Sequence, residues 1–107
     1  MTDTLGKVQS LAANGQVQIS AHGYDQLAED GILVREIMAG LAQARVVEDY
    51  PAFHKRPCVL VLQRDQFGDA LHVVWGIAKG TEYPAVLVAA YRPDPQQWSD
   101  DFQRRAR

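Results

Sequence analysis

Cysteine is almost absent from this chain: Cys58 stands alone in an apolar run. One cysteine closes no internal disulfide, and no second thiol accompanies it, so a disulfide scaffold and a cysteine-type zinc site are both excluded. Cys58 reads as a small buried hydrophobe rather than a nucleophile. Long apolar runs are missing too. No segment reaches the roughly 18 residues of a membrane span, and Met1-Thr2-Asp3-Thr4 lacks the basic start and apolar stretch of a secretory signal. The expectation is a soluble cytoplasmic protein with no membrane contact. There is no phosphate-cradling glycine loop and no nucleophile elbow. The three histidines, His22, His54 and His72, are far apart, and none has a ligand partner at helical or turn spacing. No metal and no cofactor are expected. A net charge of −2 leaves no bulk positive field for nucleic acid.

Apolar residues make up 47% of the 107 residues, enough for one packed core. We read residues 1–107 as a single domain. Residues 3–14 predict a helix with Leu5, Val8, Leu11 and Ala12 on one stripe and Asn14-Gly15 as its stop. Residues 16–19 predict a short strand. A second helix follows from the Ser20 cap, with Tyr24, Leu27 and Ala28 at helical spacing and Gly31 as its left-handed end. Val34, Ile37, Met38 and Leu41 predict a third helix over 34–44, forming a helical hairpin with the second. After Arg45 the period changes. Strands are expected at 46–49, 58–63, 70–78 and 85–91, with Gly68 supplying a positive φ in the 65–69 hairpin loop. Pro93-Asp94-Pro95 ends the last strand, and a terminal helix carrying Trp98 and Phe102 is expected beyond it. The predicted class is α+β: a helical hairpin and terminal helices packed on one face of a small, mostly antiparallel sheet of four to five strands.

The residues suited to chemistry are few. His22 sits one residue inside the second helix, where exposed N–H groups and the helix dipole favour an anion. In strand 70–78, Leu71, Val73, Trp75 and Ile77 point one way, while Ala70, His72, Val74, Gly76 and Ala78 point the other. His72 therefore lies among small residues that leave room above the sheet. Tyr91 and Arg92 close the last strand, and Asp94 or a helix carboxylate is the expected salt-bridge partner of Arg92. His54, Lys55 and Arg56 form a short basic run in a loop, and Arg104, Arg105 and Arg107 crowd the far end. Cleavage of RNA by its own 2′-hydroxyl needs a base, an acid and a cation at the phosphate. Histidine suits the first two roles and arginine the third.

The stretch His22-Gly23-Tyr24-Asp25-Gln26-Leu27-Ala28-Glu29-Asp30-Gly31-Ile32 resembles a pattern of small bacterial proteins: histidine, a small residue, arginine and methionine further on, then glutamate, arginine, glycine and isoleucine. Val46-Val47-Glu48-Asp49-Tyr50-Pro51, Leu71-His72-Val73-Val74-Trp75, and Val88-Ala89-Ala90-Tyr91-Arg92-Pro93-Asp94 with Trp98 beyond, resemble its strands. The family is domain-of-unknown-function family 4258, and the likeness covers roughly residues 17–99, leaving the first helix as an addition. Its members are similar in layout to RelE/ParE-type toxins of toxin–antitoxin pairs. The resemblance implies a RelE-like fold, an antitoxin partner and RNA as substrate of a metal-independent endoribonuclease. His22, His72 and Arg92 are then the catalytic positions; His54, Lys55, Arg56 and Tyr91 are substrate-binding ones. Two departures stand out: the family's two helix arginines are Gln26 and Asp30 here. A second reading therefore stands beside the first, a non-catalytic protein-interaction module. It would bind a protein partner, or itself as a homodimer, through the first helix or the Trp98/Phe102 tail.

Overall fold

In a computed structural model that describes residues 4–50, 56–78, 80–99 and 101–104, helix and strand alternate and then give way to a meander. Helix α1 is Thr4–Ala13, strand β1 Val17–Ile19, helix α2 Ala21–Asp30 and helix α3 Val34–Gly40. The strands β2 (Arg45–Tyr50), β3 (Cys58–Arg64), β4 (Ala70–Ile77) and β5 (Ala85–Tyr91) follow. They form one sheet in the order β1-β5-β4-β3-β2, antiparallel except for the β1–β5 pair. This is the expected α+β architecture. The five strands leave β1 and β2 as edges.

Alternation along the strands makes two unlike faces. Val59 and Val61 of β3, Leu71, Val73, Trp75 and Ile77 of β4, and Leu87 and Ala90 of β5 join Val8, Leu27 and Ile37 of the three helices in one buried cluster. Each Val, Leu or Ile among them contributes about 1.5–3 kcal/mol by leaving water. The apolar stripe of α1 is thus used inside the molecule: Val8 is fully buried, with Leu5, Leu11 and Ala12 packed beside it.

Helix α2 is built as its sequence suggests. The Ser20 hydroxyl accepts from the Gly23 N–H at 3.0 Å, and Gly31 ends the helix at φ 63°. Gly23 has a packing reason as well, because a Cβ there would stand 2.8 Å from the Leu87 carbonyl oxygen. Helix α3 is shorter than the 34–44 expected. It stops at Gly40 and tightens into a 3-10 turn over Leu41–Gln43. Gly40 is a poor helix former, and its Cα backs directly onto the Arg64 carbonyl, a Cβ there lying 3.0 Å from that oxygen. Buried Gln63 ties α3 to the sheet: its Nε2 donates to the Ile37 carbonyl at 2.7 Å while its Oε1 accepts from Trp75 Nε1 at 3.0 Å.

The expected terminal helix is a correction. Pro93 is buried, and residues 95–97 form a turn rather than a helix. Ser99 holds a compact loop by bonding Arg104 and Phe102, and Phe102 takes a left-handed φ of 58°. Prolines 93 and 95 remove donors, and Trp98 is drawn onto the sheet face away from the helices. Replacing Gln63 with Leu leaves the Ile37 carbonyl and the Trp75 indole N–H buried without partners. The expected cost is about 3 kcal/mol, seen in urea unfolding as a lower midpoint with an unchanged slope.

Candidate functional site

His72 lies between Leu71 and Val73, so its ring points away from the helix layer. Tyr91 joins it there because of a bulge. Val74 pairs with Ala89 but Trp75 pairs with Leu87, which leaves Val88 as an extra residue. One extra residue exchanges the faces of everything beyond it. Ala90 therefore enters the helix-side core, and Tyr91 turns to the face of His72. The Ser20 hydroxyl donates to the Val88 carbonyl at 3.0 Å, so the cap of α2 also satisfies the bulge.

The room above His72 is filled. Its ring is 0% exposed and meets the Trp98 ring edge-on at 4.3 Å and the Tyr91 ring at 5.4 Å. His72 Nε2 lies 2.7 Å from the Phe102 carbonyl oxygen. A carbonyl only accepts, so Nε2 carries the proton, and in the neutral ring Nδ1 accepts from the Tyr91 hydroxyl at 3.3 Å. Both ring nitrogens are engaged, one of them by the tail itself.

Arg92, next along the chain, is tied down twice. Its guanidinium pairs with Asp65 at 3.1 Å, and its backbone N–H donates to Asp30 Oδ2 at 3.0 Å. The salt-bridge partner is thus the hairpin carboxylate, not Asp94. Asp65 also accepts from the Phe67 and Asp69 N–H groups at 2.8 and 2.9 Å. Burial pushes the Asp65 carboxyl up, but the two backbone N–H groups and the Arg92 guanidinium outweigh it and hold it below the usual carboxylate range.

His22 is exposed on α2, in the helix layer. His72 is fully buried, with its ring nitrogens bonded to Tyr91 and Phe102 rather than to His22. Gln26 and Asp30, the two departures from the pattern the helix resembles, have another task. Strand β5 is paired with β1 only over Ala85–Leu87. Beyond that point Gln26 Oε1 accepts from the Ala90 N–H, and Asp30 Oδ2 from the Arg92 N–H, each at 3.0 Å. Arginine has no acceptor and cannot do this.

Of the expected substrate-binding residues, Arg56 is half-buried with its aliphatic stem across Gly76, where a Cβ would meet Arg56 Cδ at 2.9 Å. His54 and Lys55 lie outside the described residues, as do Phe53, Arg105 and Arg107. Burial pushes the half-buried Cys58 thiol up, against a smaller opposing pull from Arg56, so it is no ready nucleophile. Among the described residues no group of three or more His, Cys, Asp or Glu could hold a metal ion. None of their helices is long and apolar enough to cross a membrane. The Trp98/Phe102 tail, expected as a docking surface, is instead packed on His72, with Trp98 buried. Sequence reasoning missed Asp65 and the bulge at Val88; the Asp65-to-Asp69 turn was the one signal for the former.

Fold and site together define an α+β domain with a helix layer on one sheet face and a tail-covered histidine on the other. The chain belongs to the domain-of-unknown-function family DUF4258, whose model matches residues 19–92, well over half of its length. No curated protein and no solved structure matches it.

Two outcomes follow from these contacts. Because folding lowers the Asp65 pKa, its stabilisation is present above the ordinary carboxylate pKa of about 4 and is lost as pH falls through the folded value. Asp65→Asn should therefore be less stable than the wild type at pH 7, and the gap between their melting temperatures should narrow on acidification below about pH 4. Gln26→Arg should cost about 1–2 kcal/mol by leaving the Ala90 N–H without its acceptor, measured by chemical denaturation.

Proposed function

We propose that this protein is a protein-interaction module of the cytoplasm that keeps a RelE/ParE-type toxin scaffold without running an acid–base centre on it. The observation that carries this reading is the state of His72, fully buried with both ring nitrogens hydrogen-bonded. A general base must come within reach of the proton it takes, and neither nitrogen is open to a substrate. His22 is exposed on α2 while His72 is buried, and Arg92 is neutralised by Asp65. Gln26 and Asp30 act as structural acceptors where the resemblance has phosphate-seeking cations.

One observation favours a second reading, an RNA-cleaving toxin with an antitoxin partner. The Tyr91 hydroxyl is hydrogen-bonded to the His72 ring, and Arg92, a cation, is the next residue along the chain. Under that reading the tail has to leave His72 before RNA can reach it.

Induction of the full-length protein in a bacterial host separates the two. The interaction-module reading expects unarrested growth and intact messenger RNA. Growth arrest that His72→Gln abolishes, in a variant still folded by circular dichroism, would establish the toxin reading instead.

A further inference from the structure

The two edges of the sheet are unlike. Edge strand β2 carries Arg45, Glu48 and Asp49 and is broken by a bulge between Val46 and Glu48. Charges and bulges of this kind protect an edge from pairing with another chain. Edge strand β1, Val17-Gln18-Ile19, carries no charge and no bulge. Beside it lies an open groove of about 620 Å³ between the strand and the helices, lined by no charged residue. Val17, Ile19, Tyr24, Val34 and Met38 give it an apolar wall. Tyr24 is 58% exposed, and Leu33 and Val34 at the start of α3 are 43% and 36% exposed. Three of the large apolar side chains left in water thus belong to the helix ends around one unguarded strand.

The backbone direction of β1 is fixed by its parallel pairing. The Gln16 carbonyl accepts from the Ala85 N–H, and the Ser20 N–H donates to the Leu87 carbonyl. Alternation then turns the Gln18 peptide groups toward β5 and those of Val17 and Ile19 outward. This is the arrangement an antiparallel copy of the same strand requires. With a two-fold axis at Gln18, Val17 faces Ile19 of the second copy and Ile19 faces its Val17. Both are hydrogen-bonded pairs, each exchanging two bonds. Gln18 faces Gln18 as the closer, non-bonded pair, with uncharged amides that do not repel.

We propose that β1 and its groove form the interface of a homodimer, in which two sheets join edge to edge through antiparallel β1 strands. The proposal rests on the reading of the protein as an interaction module and supplies its partner, a second copy of the chain. Self-pairing is favoured over an unrelated extended peptide because the register closes about one residue. A closed isologous contact uses both edges and leaves no strand to propagate a fibre. Four main-chain bonds over so short a strand do not hold a dimer alone. The two grooves lie on the helix side of the joined sheet, so Tyr24 and Val34 of each copy meet the other across the seam and bury the exposed apolar surface.

The test is sedimentation velocity on the full chain over a range of concentrations. Wild type is expected to dimerise. Gln18 is exposed and points away from the core, so Gln18→Lys and Gln18→Glu fold normally but place like charges opposite each other. Each alone is expected to run as a monomer, and an equal mixture of the two is expected to dimerise again. Wild type that stays monomeric at every soluble concentration overturns the proposal, as does a dimer that both substitutions leave intact. Val34→Asp checks the groove independently and is expected to weaken association without altering the circular dichroism spectrum. Failure of the interaction-module reading would show elsewhere, as RNA cleavage or growth arrest, which association does not report.

Discussion

The outer edge of β5 depends on a helix for its closure. Strand β1 pairs with β5 only as far as Leu87, and α2 takes over from there. Ser20 bonds the Val88 carbonyl, Gln26 the Ala90 N–H and Asp30 the Arg92 N–H. A strand edge left open in this way would present unpaired donors and acceptors to any passing chain. Closing it with side chains fixes the rotation of α2 about its own axis. Leu27 is thereby aimed into the core, Gly23 is pressed to the Leu87 carbonyl, and His22 is left facing water. Placing acceptors at these positions uses the sites where the family resemblance has arginines. One requirement, satisfying the strand backbone, thus accounts for the helix orientation and for the missing cations together.

The bulge at Val88 decides the other face. Without it Tyr91 would enter the helix-side core and Ala90 would face His72. With it, tyrosine, histidine and tryptophan collect on the face away from the helices, and the tail supplies a carbonyl to the buried ring. A buried imidazole with both nitrogens bonded is a structural polar group, since losing either partner strands a donor or an acceptor in a dry site. The arrangement specifies where the tail sits more than it offers chemistry.

Much of this was legible in the chain. The Ser20 cap, the Gly31 stop and the apolar spacing of Leu27 with its neighbours marked α2 nearly to the residue, and strict alternation in 70–78 placed His72 on the face opposite Val73 and Trp75. Local signals of that kind are read within one turn or one pleat. The features that were not legible are those set by distant partners. The bulge at Val88 comes from matching β5 to β4 and to Ser20. The end of α3 at Gly40 comes from its contact with Arg64 and Gln63. Trp98 and Phe102 at helical spacing suggested a terminal helix, but His72 recruits the tail as an irregular strap. The sealing of His72 was not legible for the same reason: the Phe102 carbonyl that caps its ring lies far along the chain.

The central claim is that His72 is sealed while His22 is open. Ethoxycarbonylation by diethyl pyrocarbonate needs an accessible ring nitrogen, and peptide mass spectrometry assigns it residue by residue. In the native protein His22 should be modified readily and His72 only after denaturation. Modification of His72 in the folded protein at a rate matching that of His22 would contradict the account.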